Sequence, residues 1–297
     1  MSYLEALVAE IIQNNKLQSR FIARSLEELN KEELFMLNTY LYYVLENGMS
    51  IPYLAECYNL IVKDTLREQI YFQKNRKYRF TSFEDVSSSV YFNDRYMRMY
   101  MHGLALTYFF WPNHRNINRW FIKNLPRDKS GYYLEIGPGH GFNFMMAMKY
   151  GLFNYYIGID ISPTSAELSK SILSHQQFEN SNNYTIITAD FLSINNPEKY
   201  DAIIMGEVLE HVEKPELFLT KIHTLANKNA FIFITTAINS PAIDHIYHFK
   251  SVDSVVNMVN QCGFKIKDQL ILPYSNMSIE DSLSKKMPIN IALIIEA

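Results

Sequence analysis

A chain of 297 residues, 48% of them hydrophobic, has room for two domains or one enlarged one and enough apolar side chains for a sizeable core. A formal charge of −3 with eight dispersed histidines argues against a nucleic-acid coat, and the two cysteines, Cys57 and Cys262, give no disulfide framework. The first residues lack the basic flank, apolar stretch and cleavage site of a secretion signal, and no run of about 18 apolar residues exists, so a soluble cytoplasmic protein without a membrane partner is expected.

Residues 1–125 carry helical signals. Leu4, Leu7, Val8, Ile11 and Ile12 recur at helical spacing, as do Phe21, Ile22, Leu26 and Leu29. Asn30 followed by Glu32 and Glu33 predicts a helix start, with Leu34, Leu37, Leu41 and Leu45 as its apolar stripe and Asn47 and Gly48 as its stop. Residues 51–71 read as a further helix that tolerates Pro52 in its first turn. From Lys63 to Phe80, basic residues alternate with Tyr71, Phe72, Tyr78 and Phe80, which is either a solvated face or a docking patch for an acidic carrier or an RNA strand. The stretch 91–121 is dense in aromatic residues and methionine, a composition that belongs to a core first and to a binding surface second.

The polar segment 126–131 marks a junction, giving a helical cap at 1–125 and a second domain at 126–297. The second domain alternates strand and helix, with strands predicted at 132–136, 155–160, 184–189, 201–205, 230–235, 264–272 and 289–296. Helices are predicted in the first four gaps and before residue 264, and none between the last two strands, the pattern of an α/β doubly wound sheet.

The first of these strands runs into a turn with Gly137, Gly139 and Gly141 and then into a helix. Glycines let the backbone turn sharply and let a ligand approach where a Cβ would collide, and the helix aims its free N–H groups back at the turn. The second strand ends on Asp160 with Ile161 after it, where a carboxylate accepts both hydroxyls of a ribose. The third ends on Asp190 beside Phe191, and the fourth delivers Glu207, Glu210 and His211.

Glu135, Gly137, Gly139, Gly141, Asp160, Asp190, Phe191, Glu207, Glu210 and His211, in this order and spacing, make residues 130–297 resemble a class I S-adenosylmethionine-dependent methyltransferase. The resemblance implies a seven-stranded sheet of order 3-2-1-4-5-7-6 with an antiparallel last strand. It implies that Gly137, Gly139 and Gly141 hold the donor's amino-acid end, with Glu135 supporting its ammonium, Asp160 at the ribose, Asp190 and Phe191 at the adenine, and Ile161 and Glu207 among the donor-site residues. It also implies that the N-terminal helices cover the donor and shape an acceptor pocket, for which Tyr100, Tyr108 and Trp111 are the candidates, with Phe109 beside them.

On the acceptor side, His211, Asn239, Asp244, His245 and His248 are the polar groups placed to act, and a neutral histidine suits removal of a proton from a hydroxyl, thiol or acidic carbon. Glu207, Glu210 and His211, with His248 or His245 as the second imidazole, also make an adequate shell for a divalent metal that would polarise an acceptor oxygen. The leading expectation is methylation of a small-molecule acceptor on O, N or C in specialised metabolism. An RNA or carrier-bound substrate and a non-catalytic S-adenosylmethionine-binding module are the alternatives, and a homodimer is left open.

Overall fold

Helix caps written into the sequence set the N-terminal half. The computed structural model describes residues 2–176, 178, 183–195 and 198–297. In it the chain begins with α1 (Tyr3–Asn14), α2 (Ser19–Glu27) and α3 (Lys31–Glu46), followed by α4 (Ile51–Asn75) and α5 (Phe83–Val86), then α6 (Asp94–Phe110) and α7 (Pro112–Asn124). Ser2 with Glu5, and Asn30 with Glu33, exchange side-chain and main-chain bonds at the starts of α1 and α3. Ser50 caps α4 ahead of Pro52. Trp111, held extended before Pro112, separates α6 from α7. Gly103 lies where α6 crosses α4, and a Cβ there would stand 2.4 Å from the Cys57 carbonyl oxygen.

The second half is a sheet of β1 (Tyr132–Ile136), β2 (Tyr155–Asp160), β3 (Tyr184–Thr188), β4 (Tyr200–Gly206), β5 (Ala226–Ile238), β6 (Lys265–Leu272) and β7 (Ile289–Glu296). Its order is β3-β2-β1-β4-β5-β7-β6, with β7 antiparallel to both neighbours, as expected. The connecting helices are α8 (Phe142–Tyr150), α9 (Pro163–Leu173), α10 (Pro215–Leu225), α11 (Val252–Gln261) and α12 (Ile279–Ser284). Two expectations need correction. A helix, α12, lies between the last two strands, started by a Ser278 cap where the apolar pattern is too short to announce it. Among the described residues the third gap holds only a 3₁₀ turn, Phe191–Ser193, not a helix. β5 is also longer than the expected 230–235, because Ala226 pairs with Tyr200 at one end and Thr236, Ala237 and Ile238 pair with β7 at the other.

Successive residues of each strand face opposite layers. Tyr133, Tyr156, Ala202, Ile204 and Phe233 join α8, α9 and the N-terminal helices in one apolar cluster. Leu134, Ile159, Ile203, Met205 and Ile234 join α10 and α11 in another. Phe121 of α7 meets Phe233 of β5 with ring centroids 4.9 Å apart, so the helical half and the sheet share a core. Burial of one such aromatic contributes about 1.5–3 kcal/mol. Among the described residues no helix is long and apolar enough to cross a membrane. The strand order reverses between β1 and β4, and the crevice at their C-terminal ends is where open α/β sheets take ligands.

Candidate active site

The turn after β1 is left-handed at Gly137 (φ 67°), Gly139 (φ 57°) and Gly141 (φ 79°). A Cβ on Gly137 would meet Val208 Cγ2 at 2.8 Å, whereas one on Gly139 would find only Met101 Sδ at 3.7 Å and the Gly137 carbonyl at 3.9 Å. Gly137 and Gly139 line a cavity of about 1280 Å³ that runs between the sheet edge and the helical half. Gly141 does not line it; it caps α8 and packs against Ser169 and Ile172 of α9.

Asp160 stands across the turn. Its Oδ2 accepts from the Gly139 N–H at 3.3 Å and from Ser165 Oγ at 2.8 Å, and its Oδ1 accepts from the Ser162 N–H at 2.9 Å. Burial raises its carboxyl while these donors oppose the rise. Glu135, at the end of β1, takes the Tyr133 hydroxyl at 2.5 Å, and burial pushes its carboxyl up to about 8. Asn143, in the first turn of α8, also faces the cavity, and its Oδ1 is buried without a hydrogen-bond partner. Ile161, Asp190 and Phe191 line the same cavity; Asp190 also caps the 3₁₀ turn through the Leu192 N–H at 2.9 Å. Glu207 lines it too, in a left-handed conformation (φ 51°) rare for a residue with a Cβ. Thr235 holds it there, donating to Glu207 Oε1 at 2.7 Å and accepting from its N–H at 3.0 Å.

The helical half supplies Tyr91, Tyr100, Tyr108 and Trp111 to the opposite wall. At that end His211 Nδ1 lies 3.3 Å from Asp244 Oδ2, and Tyr100 donates to Asp244 Oδ1 at 3.1 Å. Burial alone would lower the imidazole of His211, but the Asp244 carboxylate outweighs it and holds the group near 9. Asp244 is correspondingly low, near 2: burial would raise it, and His211 more than reverses that. The two form a buried ion pair. His245 lies at right angles to His211 with centroids 4.6 Å apart, and burial with the neighbouring His211 cation lowers it to about 3. Its Nδ1 lies 2.5 Å from the Ser240 carbonyl, which can only accept, so Nδ1 carries the proton and Nε2 keeps its lone pair.

Two expected acceptor groups lie elsewhere. His248 does not line the cavity; its Nε2 donates to Asn239 Oδ1 at 2.8 Å, and its ring packs on Tyr78 at 4.7 Å. Asn239 does not line it either, being the left-handed residue (φ 50°) that turns the chain out of β5. The expected metal set is therefore assembled only in part, without Glu207 and His248. Glu207 is engaged by Thr235 and His248 by Asn239. Ligand atoms of Glu210, His211 and His245 do come within 4.8 Å of one another, with Glu210 Oε2 bonded to Thr236 Oγ1 at 2.7 Å. Tyr91, Asn143, Ser162, Ser165 and Thr235 also stand at the candidate site, without having been expected there. Of these, Asn143 was the most accessible, two residues past the last glycine of the turn.

The chain matches the Methyltransferase domain family over residues 110–269. It is 28% identical over 156 residues to the mitochondrial ubiquinone biosynthesis O-methyltransferase of Dictyostelium discoideum, covering 50% of this chain and 48% of that protein. It is 30% identical over 114 residues to the ubiquinone biosynthesis O-methyltransferase of Brucella ovis, covering 38% and 44%. The match thus spans less than half the length of these curated relatives. Among solved structures, phosphoethanolamine N-methyltransferase 2 of Haemonchus contortus, in complex with S-adenosyl-L-methionine, superposes with TM-score 0.53 at 13% identity, over 73% of this chain and 60% of that one. The [4+2]-cyclase SpnF superposes with TM-score 0.52 at 11% identity, over 63% and 82%. At such identities the likeness is one of fold. The family match covers more than half of the chain, and with the strand order and the glycine turn it makes this protein a member of the class I S-adenosylmethionine-dependent methyltransferase family.

Proposed function

We propose that this protein transfers the methyl group of S-adenosylmethionine to an acidic hydroxyl, a phenol or an enol, on a small, largely apolar molecule. The residues of the crevice fit the donor. The open side of Gly139 and the buried, unpartnered Asn143 Oδ1 suit its amino-acid end, with Glu135 as counter-charge. Asp160 suits the ribose, and Asp190 with Phe191 the adenine. Bound S-adenosylmethionine supplies a methyl already activated by sulfonium charge, which leaves with breaking of its carbon–sulfur bond as the acceptor oxygen forms the new bond.

The observation that carries the reading is the imidazole pair at the acceptor end. His245 lines the cavity with Nε2 as its unprotonated nitrogen, the tautomer being fixed by the Ser240 carbonyl, and in this reading Nε2 takes the proton as the acceptor O–H bond breaks. His211, held cationic by Asp244, stabilises the oxygen's negative charge. His245 stays neutral at ordinary pH but is a weak base, so the proton it takes has to come from an acidic group, which favours phenols and enols over aliphatic alcohols. The O-methyltransferase names of the Dictyostelium and Brucella relatives support oxygen as the atom methylated. A small acceptor is favoured over RNA because Arg67 and Arg79 of the basic stretch are tied to the buried Glu68 at 3.0 and 2.9 Å.

The test is incubation with S-adenosylmethionine and a panel of phenols, enols, amines and thiols, with and without added divalent cation, followed by mass spectrometry of the products. Methyl ethers of phenols or enols are the expected result. Methylation confined to amines or thiols would refute the assignment to oxygen.

A further inference from the structure

Tyr91, from the helical half, touches both ends of the crevice. It closes a π-helical turn, Ser87–Tyr91, a rare widened turn of a kind found disproportionately at functional sites. Its main-chain carbonyl accepts from Ser162 Oγ at 2.9 Å, and the Ser162 N–H donates to Asp160 at 2.9 Å. Its phenol oxygen lies 2.9 Å from His211 Nδ1 and 3.2 Å from Asp244 Oδ2. Burial, and after it the Asp244 carboxylate, keep that phenol protonated. A phenol has one proton, and a carboxylate can only accept, so Tyr91 donates to Asp244 and receives the Nδ1–H of His211. Tyr100 differs: it donates to the other oxygen of Asp244 and makes no bond to His211.

We infer that Tyr91 is a positioning residue for methyl transfer: its hydroxyl fixes the His211 ring so that Nε2 faces the acceptor, and its main chain ties that orientation to the loop beneath Asp160. The inference rests on the acceptor-side reading above. Without the hydroxyl, His211 Nδ1 still has the Asp244 carbonyl at 3.2 Å and Asp244 Oδ2 at 3.3 Å. The pair would survive with the ring turned toward other partners. The Tyr91 ring itself packs on Phe83 at 5.2 Å, a contact that phenylalanine keeps. The loss therefore falls on the reaction and not on the fold or the donor.

The experiment compares wild type, Tyr91→Phe, Tyr100→Phe, Asp244→Asn and the Tyr91→Phe/Asp244→Asn double variant. Each is titrated calorimetrically with S-adenosylhomocysteine and assayed on the panel phenol that wild type methylates fastest. For Tyr91→Phe the expected result is an S-adenosylhomocysteine Kd within about twofold of wild type and an acceptor KM within about threefold. Its kcat should fall about 10- to 100-fold, more than for Tyr100→Phe, and the double variant should be no slower than the slower single one. Wild-type kcat in Tyr91→Phe, a loss expressed only as weaker donor binding, or fully multiplicative losses in the double variant would overturn the role. If wild type binds S-adenosylhomocysteine but methylates no phenol or enol, the acceptor reading fails and the role of Tyr91 with it.

Discussion

Replacing Glu135 by glutamine isolates the charge at the head of the glycine turn. The side chain is buried at the end of β1, and burial lifts its carboxyl from an ordinary 4.5 to about 8; the Tyr133 hydroxyl pulls the other way and Asp160 adds to the rise. A raised carboxyl means that between pH 4.5 and 8 the folded chain holds a proton that the unfolded chain has released. Stability therefore falls as pH rises through that window, by at most about 5 kcal/mol at about 1.36 kcal/mol per pH unit. Glutamine keeps an acceptor for Tyr133 and removes the titration. In urea unfolding, the stability difference between Glu135→Gln and wild type is expected to grow from near zero at about pH 5 to about 2–4 kcal/mol at about pH 8.5. Donor binding should reveal the same proton. Near pH 7 the wild-type carboxyl is mostly protonated, and an ammonium placed beside it should expel nearly one proton. Calorimetry with S-adenosylhomocysteine in buffers of different ionisation enthalpy should detect that release in wild type and not in the variant, which should also bind more weakly. Parallel pH profiles of stability in the two proteins, or no proton release from wild type, would refute the reasoning.

The two glycines of the turn should separate fold from ligand. Gly137→Ala places a Cβ 2.8 Å from Val208 Cγ2 at a left-handed φ, so melting should show a loss of about 1–3 kcal/mol along with donor binding. Gly139→Ala meets nothing closer than 3.7 Å and carries only the strain of its left-handed φ, so it should destabilise less than Gly137→Ala while still lowering donor affinity. For the ion pair, the raised His211 stabilises fully below its ordinary 6.5, and that contribution is lost as pH rises toward 9. The depressed Asp244 stabilises above its ordinary 3.8, and that contribution is lost as pH falls toward 2. Asp244→Asn should therefore flatten the alkaline decline of the melting temperature between these His211 limits. His248→Ala, outside the cavity, should lower the melting temperature through lost contacts with Tyr78 and Asn239 while leaving donor affinity within about twofold.

The sheet was legible because its central strands are buried on both faces and read as apolar runs, and because glycine or acid recurs at the C-terminal ends of β1 to β4. Helix α12 was not, since it rests on a Ser278 cap and six residues with little apolar periodicity. The proposed donor side is carried mostly by residues local to each strand end, such as Asp160 and Asp190, so one sequence reaches them. The acceptor side is not local. His245 and His248 are three residues apart in one irregular segment, and only the fold shows that the first faces the cavity while the second packs against Tyr78. Tyr91 lies 120 residues from the His211 it contacts, on a helical segment whose composition reads equally well as plain core. Asn143 Oδ1 stands out as a candidate donor contact only because it is buried and unpartnered, which spacing does not convey.

The central claim, a donor crevice built on the glycine turn and Asp160, is tested most directly by calorimetric titration of the chelator-treated protein with S-adenosylhomocysteine, beside Asp160→Ala. Micromolar-range binding, on the order of −8 kcal/mol, that is abolished in the variant while its fold persists is the predicted result. A folded wild-type protein that does not bind, or an Asp160→Ala protein that binds equally well, would contradict it.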